Sequence, residues 1–118
     1  MSHSNSADCI FCKIASGVIP VTPVYQTDEL VCFPDINPQA PTHLLLIPRQ
    51  HIPSLAATTP AHNALLGRLL AAARDIAQQR KLDTGYRVVT NIGPDGGQSV
   101  DHLHLHILAG RPMAWPPG

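Results

Sequence analysis

His102-Leu103-His104-Leu105-His106-Ile107-Leu108 alternates imidazole and aliphatic side chains for seven residues. Successive side chains of an extended strand face opposite ways, so the three rings are expected on one face and Leu103, Leu105 and Ile107 on the other. One face is then polar and reactive, and the other is core. Residues two apart on a strand are separated by about 6.5–7 Å along the chain, a spacing that lets neighbouring rings surround one anionic group. Imidazole serves as nucleophile, proton carrier or cationic donor near neutral pH, which points to chemistry on phosphorus. Alternate histidines on a strand also suit zinc, and at this level both readings stand.

The rest of the chain narrows the setting. Its 118 residues suffice for one domain with a modest core. Charged residues make up 14% and the formal net charge is zero, which argues against a nucleic-acid stripe or an anionic membrane partner and favours a small ligand or a protein partner. A sparsely charged surface and an apolar, proline-rich C-terminus lean toward a homodimer. The polar start carries no apolar signal core, and no stretch approaches the roughly 18 apolar residues of a membrane span, so a cytoplasmic protein is expected. Three cysteines, Cys9, Cys12 and Cys32, are an odd count that speaks against a disulfide framework.

Residues 1–8 read as a loose tail and residues 9–118 as a single domain. Asp8 is placed to cap a short helix through Cys9 to Ser16 that Gly17 ends. The runs Val24 to Gln26 and Leu30 to Phe33, separated by Thr27-Asp28-Glu29, read as a hairpin. Asp35 to Pro41 is a rigid loop, with Asp35 a natural turn residue, and the apolar run His43 to Ile47 is a strand. Thr59-Pro60 starts a long helix to about Lys81, whose apolar positions Leu65, Leu66, Leu69, Leu70, Ala73, Ile76 and Ala77 recur at helical spacing. Tyr86 to Ile92 returns to strand, Gly93 to Gly97 is a loop, and Val100 to Leu108 is the histidine strand. The sum is an α+β fold, an antiparallel sheet of about five strands covered on one face by the long helix.

The histidine run, preceded by Asp95-Gly-Gly-Gln-Ser99, resembles the histidine triad (HIT) superfamily of nucleotide-binding hydrolases and transferases. Asp35-Ile-Asn-Pro-Gln-Ala-Pro-Thr-His43 and the ending Trp115-Pro-Pro-Gly118 are similar, in the same order, to the Hint branch. The resemblance implies a phosphoramidase that cleaves the P–N bond of purine nucleoside 5′-phosphoramidates through a nucleotidyl-histidine intermediate, on a sheet continued across a homodimer. His104 matches the nucleophile, held in its attacking tautomer by a backbone carbonyl near His102. His106 and His43 match phosphate contacts, and Gly97, Gln98 and Ser99 match the segment that holds phosphate oxygens near the leaving group. Asn91 matches a further nucleotide contact and Asp35 the carboxylate that receives the ribose hydroxyls. Ile10, Phe11, Ile14, Phe33, Ile36 and Leu45 match the apolar walls around the base, and Trp115 a tryptophan that reaches toward the partner subunit's site. Catalysis requires no cofactor in this reading. His3 and His62 fall outside the site.

Cys9-Ile-Phe-Cys12 puts two sulfurs on one side of a helical turn, a spacing that suits zinc. Resemblance completes the set with His51 and His102, giving a closed structural site. The competing readings are two reduced, buried thiols and, below both, a thioredoxin-like pair lacking its βαβ context. Cys32 reads as packing. Rival functions are a nucleotide-binding regulatory protein with little turnover, a dinucleotide polyphosphate hydrolase or nucleotidyl transferase, and a zinc hydrolase using all three histidines.

Overall fold

The computed structural model describes residues 6–118, so residues 1–5 of the expected tail, with His3, lie outside the described residues. Ser6–Asp8 form a 3-10 turn rather than loose chain. Helix α1 follows at Ile10–Ala15, then strands β1 Tyr25–Gln26, β2 Leu30–Pro34 and β3 Thr42–Pro48, the long helix α2 Asn63–Gln79, and strands β4 Tyr86–Val89 and β5 Leu105–Ala109. The strands form one antiparallel sheet in the order β1-β2-β3-β5-β4. No helix among the described residues is long and apolar enough to cross a membrane.

The continuous apolar run of β3 is explained by burial on both sheet faces. Leu44 and Leu46 join Leu30, Cys32, Leu105 and Ile107 beneath α2, whose Leu65, Leu69, Ala72, Ala73 and Ile76 cover that face. Leu45 and Ile47 turn the other way, to Val31, Phe33, Phe11 and Cys9. The expected single covered face is thus corrected: α1 and its flanking loop bury part of the second face. Cys32 is fully buried packing, and burial pushes its thiol up to about 12.

Three local expectations change. Cys9, not Asp8, is the N-cap of α1, its sulfur accepting from the Cys12 amide. Leu70 is 62% exposed and Leu66 only flanks the core, because the apolar arc of α2 centres on Leu65, Leu69, Ala72 and Ile76. At the start of α2, a 3-10 turn at Pro60–His62 carries a capping box in which the His62 ring accepts from the Thr59 amide, so His62 has a structural task. The largest correction concerns the histidine strand. It begins at Leu105, since His102 N–H donates to the Val100 carbonyl and Leu103 N–H to the Ile52 carbonyl, drawing residues 100–104 out of the ladder.

Candidate active site

Alternation nevertheless survives through the irregular stretch. Leu103, Leu105 and Ile107 are buried in the cluster beneath α2, while His104 and His106 lie on the opposite side. There they line a cleft of about 370 Å³ with Asp35 and Ser99, walled by Ile10, Phe11, Ile14, Phe33, Ile36 and Leu45. The lining joins a few polar groups to a larger apolar wall, a combination suited to a ligand with a charged head and a flat, weakly polar body.

Each ring is fixed by its hydrogen bonds. His104 is almost fully buried, and its Nδ1–H donates to the His102 carbonyl at 2.6 Å. Its lone pair therefore sits on Nε2. Burial pushes the His104 pKa down, against smaller upward pulls from the His102 carbonyl and Asp35, so the ring is held neutral. Phe11 supports it edge-on, with ring centroids 5.1 Å apart at 83°, and the Thr90 hydroxyl donates to the His104 carbonyl at 2.9 Å.

His43 is buried behind the cleft on β3. Its Nδ1 accepts from the Gln39 amide at 3.0 Å, which puts the hydrogen of the neutral ring on Nε2. That atom lies 2.9 Å from His106 Nδ1 and 3.4 Å from an Asp35 carboxylate oxygen. His106 Nδ1 must then accept, leaving Nε2–H as the donor of the neutral ring. Burial, with His104 and His43 adding, pushes the His106 pKa down, while Asp35 pulls it up. Asp35, His43 and His106 are close enough to share a metal ion, and in the neutral-ring tautomers that the Gln39 amide favours the same three groups form a hydrogen-bonded trio.

His102 departs from the expected three-ring face. Fully buried, it donates Nε2–H to the Pro48 carbonyl at 2.7 Å and turns Nδ1 toward Cys9 Sγ at 3.3 Å and Cys12 Sγ at 3.5 Å. His51 Nδ1 lies 3.2 Å from Cys12 Sγ, and all four donor atoms fall within 4.8 Å of one another. A tetrahedral zinc with bonds of about 2.3 Å to sulfur and 2.0–2.1 Å to nitrogen needs sulfur-to-nitrogen edges of about 3.5 Å. The residues fit that ion. Burial, then the neighbouring Cys9, push the Cys12 thiol up to about 11, so a cation is what would hold Cys12 as a thiolate. Among the described residues His51 Nε2 is buried with no hydrogen-bond partner, so the ring's polar contact lies on the cluster side, at Nδ1. A hydrolytic zinc held by all three triad histidines is excluded by geometry, since the His102 ring faces away from the cleft that His104 and His106 line.

The remaining expected residues divide. Asp35 lines the cleft and also closes an Asx turn, its Oδ1 accepting from the Asn37 amide. Asn91, Gly97 and Gln98 do not line it. Asn91 donates to the Gly96 carbonyl, and the Gln98 side chain donates to the carbonyls of Pro53 and Val100 and accepts from Gly93 N–H, so both brace the loop that presents Ser99. Only glycine fits at position 96, where a Cβ would lie 2.3 Å from the Ile92 carbonyl oxygen. Trp115 stands 85% exposed on a tail that Arg87 ties down through the carbonyls of Ala114 and Pro117. Ile19, Pro20, Val21, Pro34 and Val100 also line the cleft and escaped sequence reasoning. A larger groove of about 500 Å³ borders residues 84–87 and 110–113, but its guanidinium groups, Arg87 and Arg111, are engaged by backbone carbonyls.

Residues 8–114 match the family described as "Scavenger mRNA decapping enzyme C-term binding". A HIT family hydrolase from Legionella pneumophila superposes with a TM-score of 0.92 at 48% identity, covering 94% of this chain and 100% of that one. A HIT-like protein of Synechococcus elongatus is 52% identical over 113 residues, 96% of this chain and 99% of the relative. A 14 kDa zinc-binding protein of Brassica juncea is 50% identical over 113 residues, 94% of this chain and all of the relative. The chain belongs to the histidine triad family.

Proposed function

We propose that the protein is a purine nucleoside phosphoramidase of the Hint branch, with His104 as nucleophile. The observation that carries the reading is the tautomer of His104: a buried, neutral ring whose Nδ1–H is tied to the His102 carbonyl and whose Nε2 lone pair is left free at a cleft lined by Asp35, Ser99 and His106. Nε2 attacks the α-phosphorus, a P–Nε2 bond forms, and the P–N bond to the amine breaks. The departing amine takes its proton from solvent, while His106 Nε2–H donates to a phosphate oxygen, the ring steadied by the hydrogen bond from His43. Water then attacks phosphorus and loses a proton to solvent as the P–Nε2 bond breaks, freeing the nucleotide and restoring neutral His104. Two moderate displacements replace one difficult step. Ser99 and the loop backbone donate to phosphate oxygens, Asp35 accepts from the ribose, and the apolar walls hold the base.

Cys9, Cys12, His51 and His102 hold a structural zinc, which when bound cross-links α1 to the start of the catalytic segment. No step runs through it. A homodimer that continues the sheet is supported by the edge position of β4 and its exposed Tyr86 and Val88, with Trp115 reaching the partner's cleft. Three free cysteines and the match between zinc and reduced thiols support a cytoplasmic setting.

The test follows phosphorus by NMR with adenosine 5′-phosphoramidate and a diadenosine polyphosphate in parallel. Cleavage of the P–N bond, with the anhydride slower, is the expected result. An inert phosphoramidate, whether the anhydride is cut or AMP is merely bound, overturns the assignment.

A further inference from the structure

We infer that Cys9, Cys12, His51 and His102 are positioning residues for the nucleotide cleft, so that metal occupancy and nucleotide binding are coupled. The inference rests on the reading of the cluster as a zinc site. Two short links carry it. The first is His102 itself: its ring belongs to the cluster, and its carbonyl holds the Nδ1–H of His104. A shift of that one residue moves the acceptor that sets the nucleophile's tautomer. The second is α1, six residues long, far below the roughly 12–15 at which a helix begins to stand alone in water. Its place depends on what tethers it. Cys9 caps it and Cys12 lies in its first turn, bracketing Phe11, which packs edge-on against both His104 and Phe33.

Ile10 and Ile14 of the same helix wall the cleft. Without a cation the tethers that the cluster supplies reduce to thiol contacts, which are weak hydrogen bonds, and α1 is left to the packing of Phe11 and the bond from Arg49 to the Ala15 carbonyl. Loss of the ion therefore loosens the base wall and the His104 hydrogen bond together. Coupling between two sites is reciprocal, so nucleotide must tighten metal by the factor by which metal tightens nucleotide.

The experiment uses the wild-type chain, stripped with a chelator and reloaded with zinc. Three quantities are measured: the ring nitrogen and Nδ1–H resonances of His104, AMP affinity by calorimetry, and zinc affinity by chelator competition with and without AMP. Zinc removal is expected to weaken AMP about tenfold, within the usual 5–150-fold range of coupling, and to broaden or shift the His104 Nδ1–H. AMP should tighten zinc by the same factor. Unchanged amide resonances of α2 certify that the fold stands, and Cys12→Ser should reproduce the stripped state.

Stoichiometric zinc whose removal leaves the His104 resonances and AMP affinity unaltered overturns the coupling while the zinc site survives. Failure to bind zinc at all overturns both. A His104 ring that responds to zinc in a protein indifferent to AMP upholds the link to the imidazole and removes the nucleotide assignment instead.

Discussion

His102 and His104 are two residues apart, both buried, and fixed in opposite tautomers. His102 gives its Nε2–H to the Pro48 carbonyl and leaves Nδ1 for two thiols; His104 gives its Nδ1–H to the His102 carbonyl and leaves Nε2 for the cleft. The closed cluster gathers lone pairs around a gap that a cation fits, whereas at the open cleft His106 is hydrogen-bonded to His43 behind it and His104 keeps one lone pair for attack. Residue type does not separate a metal site from a catalytic one here. The carbonyl that each ring meets does.

The sharpest way to separate the two regions is His104→Ala. Turnover should fall by roughly four orders of magnitude or more, as loss of a nucleophile does, with zinc stoichiometry unchanged. Single-turnover kinetics and metal analysis on one preparation read both, and a variant that loses zinc would break the separation. Next comes His43→Leu, which removes the Nε2–H that sets His106. A decrease in kcat of about 10²-fold with AMP affinity nearly intact is expected, and an equal loss in binding would reduce His43 to a phosphate contact.

Acidity probes the same difference more gently. Because burial lowers the His104 pKa, attack should persist below the ordinary imidazole value of about 6.5, and the acid limb of kcat/KM should lie beneath it. Stability carries the matching sign. The unfolded chain takes up a proton near pH 6.5 that folded His104 refuses, so stability is full above that value. It is lost as the pH falls through the lowered folded value, by about 1.4 kcal/mol per pH unit for that ring. Denaturant titrations between mildly acid and neutral pH would show it, and a flat dependence would contradict the neutral-ring description. The smallest expected effect is a control outside both regions: Thr59→Ala should cost about 1 kcal/mol through the lost cap of the 3-10 turn that leads into α2 and leave zinc and nucleotide affinities alone.

Much of this molecule is legible in its sequence because burial follows simple periods. Leu103, Leu105 and Ile107 against His104 and His106 obey the two-residue alternation even where the ladder is absent, and Leu65, Leu69 and Ile76 obey the helical one. What the period cannot reveal is which backbone partner interrupts it. The carbonyls of Ile52 and Val100 delay the strand to Leu105, and the Pro48 carbonyl draws the His102 ring from the cleft; both come from distant or irregular chain. Gln98 looks like a ligand residue and acts in this structure as a loop brace, since its amide finds three backbone partners nearby. Ile19, Pro20 and Val21 form no periodic pattern, so only tertiary folding brings them to the cleft.

The central claim is that His104 Nε2 bonds transiently to a nucleotide's phosphorus. Rapid quenching of the protein with adenosine 5′-phosphoramidate, followed by intact-mass and peptide analysis, should find one nucleotidyl group on the peptide that carries His104 and none on His104→Ala. Steady turnover with no adduct at any quench time, or an adduct that survives the substitution, would contradict it.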